Sequence, residues 1–159
     1  MKLNNAVKLI FSILICLLAG AIGSIFTISS IPTWYAALKK PFFNPPNWIF
    51  GPVWTTLYFL MGISLYLIWK KGIKTEESKV ALLLFGFQLV LNALWSIIFF
   101  GLRLPLYAFI LIIILWLAIL FTIIKFYKIT KPAAYLLIPY ILWVSFASVL
   151  NFYIWLLNK

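Results

Sequence analysis

Charged residues are spaced so that they leave five long uncharged stretches, 9–38, 41–69, 80–102, 104–124 and 132–158. Each holds the roughly 20 apolar residues that cross about 30 Å of hydrocarbon as a helix, which satisfies its own backbone hydrogen bonds. Of the 159 residues, 66% are apolar and 9% charged, against about 45–50% and about 25% in a soluble domain. The expected fold is an all-α integral membrane protein, a single domain (1–159) of five transmembrane helices. They are placed at about Leu9–Ile28, Pro52–Trp69, Val80–Gly101, Leu106–Phe126 and Pro132–Leu157. Pro52, Pro105 and Pro132 stand near three starts, where a proline costs no helical hydrogen bond. Lys2 and Lys8 followed by Ala19-Gly20-Ala21 imitate a cleaved leader, but the apolar run continues through Ile28, so an uncleaved first helix is expected.

Thirteen Lys and Arg against Glu76 and Glu77 give a net charge of +11. The cations fall between apolar runs instead of forming a basic face, so they read as membrane-flank charges and no nucleic-acid partner is expected. Nine lie on the amino-terminal side (Lys2, Lys8, Lys70, Lys71, Lys74, Lys79, Lys125, Lys128, Lys131) and four opposite (Lys39, Lys40, Arg103, Lys159). That imbalance predicts a cytoplasmic amino terminus and an outer carboxy terminus in a multi-pass protein, and the membrane expected is the bacterial cell membrane. With no His, no Asp and the single Cys16, neither the usual metal-ligand sets nor acid–base or nucleophilic triads can be assembled. No metal site and no obligatory cofactor is expected.

The connection 31–51 is rich in both proline and aromatic residues, including Trp34, Tyr35, Pro41, Phe42, Phe43, Pro45, Pro46, Trp48 and Phe50. Prolines exclude a spanning helix there and aromatics exclude a solvated linker, so this loop should fold back onto the bundle mouth or lie in the interface. Taken singly, Trp34, Tyr35, Trp69, Tyr127 and Trp155 read as interfacial anchors.

In the third helix Gln88, Asn92, Trp95, Ser96 and Phe99 fall on one helical face. Amides are costly in hydrocarbon unless partnered, so this face must look into the bundle, whether for interhelical hydrogen bonds alone or to line a site. Trp54, Tyr58, Met61 and Leu65 share a face of the second helix, and Pro139, Trp143, Ala147 and Asn151 one of the fifth. Pro139 leaves the Tyr135 carbonyl without its helical donor, predicting a bend or a bridging hydroxyl. The three faces together point to a pocket holding Trp54, Trp95 and Trp143. The fourth helix, almost without polar side chains, offers nothing to a ligand and is expected to face lipid or another subunit. In the first helix Ala19 with Gly23 and Gly20 with Ser24 permit close helix contact.

These residues resemble the TspO/MBR family, the tryptophan-rich sensory proteins of bacteria and the mitochondrial translocator protein. The likeness runs through Trp34-Tyr35, Lys40-Pro41, Pro45-Pro46 and Trp48-Ile49-Phe50-Gly51-Pro52-Val53-Trp54-Thr55. It continues in Gln88-Leu89, Leu91-Asn92 and Trp95-Ser96, then in Pro139-Tyr140, Trp143, Phe146-Ala147 and Leu150-Asn151. The resemblance implies a five-helix bundle whose first loop closes a pocket for porphyrins. The pocket positions it implies are Tyr35, Pro45, Trp54, Asn92, Trp95, Ser96, Trp143 and Ala147. It also implies a homodimer and, in some bacterial members, light-dependent breakdown of protoporphyrin involving tryptophans at positions like Trp54 and Trp143. Mitochondrial members carry a sterol motif with tyrosine and arginine where this chain has Phe152 and Leu156, so sterol binding is doubtful.

Three functions stay open. The leading one is a membrane receptor for a flat, largely apolar tetrapyrrole such as protoporphyrin, its propionates meeting Lys39 or Lys40. The absence of His removes the commonest haem ligand, so metal-free porphyrin or a tetrapyrrole held without strong axial ligation is expected, not a redox haem. The alternatives are a light-dependent porphyrin-degrading enzyme and a transporter of tetrapyrroles or other small apolar molecules, the last disfavoured because no charge lies within a span.

Overall fold

A computed structural model describes residues 4–159, and Lys2 of the charge count lies outside them. Among the described residues, five helical spans are long and apolar enough to cross a membrane. Helix α1 (Asn5–Ser30) starts where Asn4 accepts from the Ala6 N–H at 3.3 Å, and runs unbroken into a π-helical turn, Ile31–Tyr35. The others are α2 (Asn47–Lys71), α3 (Glu76–Ser96) with a second π-helical turn (Ile97–Gly101), α4 (Pro105–Ile129), the short α5 (Lys131–Tyr135) and α6 (Ile138–Leu157).

The ends follow from local chemistry. Gly72, at φ 118°, closes α2 in a region that side chains avoid. Thr75 caps α3 through the Ser78 N–H at 3.2 Å, with Glu76 and Glu77 on the positive end of the helix dipole. Three boundaries differ from expectation. The first span reaches Tyr35 instead of Ile28, because a π turn absorbs Pro32, so the irregular connection shrinks to 36–46. Helix α2 begins at Asn47 and carries Pro52 inside it. A proline this early costs one bond, that to the Trp48 carbonyl, in an exposed turn. The fifth span, Lys131–Leu157, is broken after Tyr135, where Pro139 withholds its donor, so the expected bend is present.

Helix α1 packs on α2 and α3, α3 on α4, and α4 on α6. The small residues of α1 serve contacts within the chain: a Cβ on Gly20 would lie 2.5 Å from the Tyr58 ring, and one on Gly23 3.2 Å from Cβ of Ser96. Helix α4 contributes nothing to the cavity described below and keeps an outward apolar face, as expected, but its other face packs into the core. One face exposes Ile110, Ile114 and Phe121, but Ile112, Leu115, Ile119 and Phe126 are buried in the core, where Phe126 stacks on Phe85 at 5.7 Å. The Trp116 N–H also donates to Ser145 of α6 at 2.8 Å.

The cations divide between the two ends of the bundle. At one end Lys8 lies 5.9 Å over the Trp69 ring and Lys131 5.5 Å over Tyr127. At the other, Lys40 covers Tyr35 at 5.0 Å and Lys159 covers Trp155 at 5.8 Å.

Candidate functional site: an aromatic cavity

A cavity of about 520 Å³ lies among α1, α2, α3 and α6, near the end of the bundle that carries the 36–46 connection. Its size is that of a small-molecule site, roughly 300–1,000 Å³. Three layers build it.

The floor is polar and closed by its own bonds. The Tyr58 hydroxyl donates to Asn92 Oδ1, Asn92 Nδ2 donates to the Tyr140 hydroxyl at 2.8 Å, and Tyr140 donates to Gln88 Oε1 at 2.8 Å. Gln88 Nε2 points at Met61 Sδ, 3.9 Å away. One directed chain thus links α2, α3 and α6, and it explains how two amides stand in the membrane interior without penalty. Asn92 and Tyr58 touch the cavity, whereas Gln88 and Tyr140 lie below it.

The wall is aromatic. Trp54 stacks on Tyr58 (5.7 Å, 28°) and lies 6.3 Å from Trp95, which stacks on Phe99 at 5.4 Å. Trp143 meets Phe50 edge-on at 6.2 Å. The three tryptophans are not equivalent. The Trp95 N–H is committed to Asn151 Oδ1 at 3.0 Å, and Asn151 Nδ2 donates to the Pro105 carbonyl at 2.8 Å, tying α3, α6 and the start of α4 together. Trp95 therefore presents only its ring. The indole N–H of Trp143 is buried without a partner. Ser96 is likewise committed, donating to the Gly23 carbonyl at 2.9 Å beside the Thr27 hydroxyl at 2.8 Å.

The roof, the 36–46 connection, passes over this end of the bundle without lining the cavity itself. Tyr35, 2% exposed, donates to Asn44 Oδ1 at 2.7 Å. Asn158 clamps the chain at Lys39, accepting from its N–H at 3.0 Å and donating to its carbonyl at 2.9 Å. Phe43 packs edge-on against Phe146 and Tyr153 of α6 at 6.3 and 5.4 Å.

A family model described as the TspO/MBR family matches residues 12–156. The chain belongs to the TspO/MBR family. Among its relatives is the tryptophan-rich protein TspO of Archaeoglobus fulgidus, 53% identical over 154 residues, covering 97% of this chain and 99% of that protein. The translocator protein of Homo sapiens is 42% identical over 135 residues, covering 84% and 80%. The tryptophan-rich sensory protein of Cereibacter sphaeroides is 36% identical over 119 residues, covering 75% and 73%.

In this TspO/MBR protein, Tyr35, Trp54, Asn92, Trp95, Ser96, Trp143 and Ala147 all line the cavity. Pro45 does not. It sits in the roof, its carbonyl accepting from Asn44 Nδ2 at 3.1 Å, because the short connection turns it away from the wall. Tyr35, alone among the residues read singly as anchors, is a buried wall residue. Lys39 and Lys40 line no part of the cavity, and the Lys40 ammonium is occupied by the carbonyls of Ala36 and Leu38 at 3.2 and 3.0 Å. Periodicity missed the α1 contribution, Gly20, Ser24 and Thr27. Its small residues were legible as contact points, but nothing in the spacing says that the same stretch borders a void.

Proposed function

We propose that this TspO/MBR protein is an integral membrane receptor that binds a flat, largely apolar tetrapyrrole, with metal-free protoporphyrin as the ligand to try first. The observation that carries the reading is the wall itself. Indole and phenyl rings from three helices border a single cavity. Each ring stacked on a ligand contributes about 0.5–1.5 kcal/mol beyond the area it buries.

Seven of the eight positions that the family resemblance assigns to porphyrin border this one space, which supports the reading. Against transport coupled to an ion, the titratable side chains at the wall are two tyrosines, Tyr35 and Tyr58, and no carboxylate or ammonium. The test is titration of purified protein with protoporphyrin, following tryptophan quenching in the dark and porphyrin absorbance under light. Saturable quenching without bleaching is the expected result. Protein-dependent bleaching would make the protein an enzyme acting on the same ligand, and absence of quenching would refute the ligand class.

A further inference from the structure

The wall of the cavity is not equally closed all round. Every lining residue from α3 and α6 is buried or half-buried, and the exposed ones are confined to α1 and α2. Deeper in the bundle these two helices touch closely: a Cβ on Gly62 would lie 2.5 Å from Cα of Ile13, and Gly20 leaves no room beside the Tyr58 ring. Towards the 36–46 connection that contact ends. There the cavity is lined by Ala21 and Ser24 from α1 and by Asn47, Trp48, Gly51 and Thr55 from α2. Ala21, Gly51 and Thr55 are exposed, Trp48 is 74% exposed, and a Cβ on Gly51 would meet no atom within 4 Å.

A residue that lines a cavity and is also exposed marks the opening of that cavity. Thr55 stands eight residues past Asn47, roughly 12 Å along the helix axis, which puts the gap at the depth of the hydrocarbon. Gly51 has no packing reason to be glycine, and a helical glycine is unfavourable relative to alanine. What it leaves open is the gap. The opposite rim is tied down, since Asn158 clamps Lys39 by two hydrogen bonds and Phe43 is packed on α6.

We propose that the cavity exchanges its ligand sideways with the membrane, through a portal between α1 and the first turns of α2 framed by Ala21, Ser24, Gly51 and Thr55. What passes is an apolar molecule dissolved in lipid, its identity as a porphyrin resting on the reading above. The roof stays latched to α6 during exchange.

The test uses protein in lipid nanodiscs with Cys16→Ala, and with Ala147→Cys as a reporter inside the cavity. Its modification is timed with a lipid-dissolved maleimide and with a charged, water-soluble one. The lipid-dissolved reagent should react about tenfold faster or more, and Gly51→Phe should slow it by about fivefold or more. Ala21→Phe, narrowing the gap from α1, should do the same. Thr56→Phe, exposed but outside the wall, and Asn158→Ala should leave the rate within about twofold. Unchanged labelling in both portal variants would overturn the proposal. So would acceleration of the charged reagent by Asn158→Ala, which would move exchange to the roof. With protoporphyrin in the same nanodiscs, Gly51→Phe should slow both association and dissociation, by about fivefold or more. Parent protein that labels as expected yet fails to bind protoporphyrin refutes the ligand class and leaves the portal standing.

Discussion

Replacing Trp95 by Phe should destabilise the empty protein more than replacing Trp54 by Phe, although both indoles face the same cavity. The Trp95 N–H donates to Asn151 Oδ1 at 3.0 Å, and Asn151 is 1% exposed. Phe at 95 keeps a ring but leaves that oxygen without its donor, at a residue that borders the cavity. In a soluble protein the orphaned acceptor would cost about 1–3 kcal/mol. In a bilayer the unfolded reference also finds partners, and double-mutant cycles average about 0.6 kcal/mol with a maximum near 1.7. Asn151 is buried but borders the cavity, so the cost falls within that range, about 0.6–1.7 kcal/mol, with some lost ring area added. Trp54→Phe loses ring area against Tyr58 and Trp95 without that orphan. The assay is reversible unfolding in mixed micelles by SDS titration, followed by far-UV circular dichroism, on Trp95→Phe, Asn151→Leu and the double variant. A coupling energy under about 0.3 kcal/mol would refute the assignment of Trp95 as a structural donor.

Ala147→Phe should fill the cavity and weaken protoporphyrin binding at unchanged helical content, while Ile114→Phe on the exposed face of α4 should leave binding intact. Leu115→Phe, at a 1% exposed site, should instead lower stability by about 1–3 kcal/mol through overpacking. Trp54→Phe and Trp143→Phe should retain much of the binding, and the corresponding alanines should lose about 1–3 kcal/mol or more. Equal binding by both alanine variants and the parent would remove these rings from the site. Gly62→Ala should cost stability whatever the ligand, because the new Cβ would lie 2.5 Å from backbone of Ile13; thermal unfolding of the empty protein measures it. A cysteine label at Glu76 should be protected from an impermeant reagent in intact cells and one at Asn47 should react; the reverse pattern would sink a cytoplasmic amino terminus.

The five spans were legible because uncharged length and hydropathy are properties of single segments, independent of the partners each one finds. Their ends were less so. Nothing local distinguishes a π turn from a loop at Ile31–Tyr35, since the turn exists only because Trp34, Tyr35, Phe99 and Phe100 pack together at the mouth. Pro52 misled because a proline fits at the first position of a helix, yet an exposed turn also tolerates it farther in. The facing of Trp54, Asn92, Trp95, Ser96, Trp143 and Ala147 was legible from period alone. The identity of Asn158 as a clamp was not, for its partner lies 119 residues away.

The polar stripe of α3 shows how one pattern divides between structure and site. Gln88, Asn92 and Ser96 recur at helical spacing and look alike in the sequence. Gln88 lies below the cavity, with Tyr140 donating to its oxygen and Met61 facing its nitrogen. Ser96 is committed to Gly23, where α1 crosses α3. Asn92 lies between these extremes. Its oxygen accepts from Tyr58 and one N–H goes to Tyr140, so of its two amide hydrogens one remains for whatever fills the cavity. Both acceptor and donor of the Asn92 amide are fixed by tyrosine hydroxyls, so the spare hydrogen has a set direction before any ligand arrives. Hydrogen bonds between helices therefore do not compete with a binding role for this stripe. They orient the one amide that both belongs to the network and borders the void.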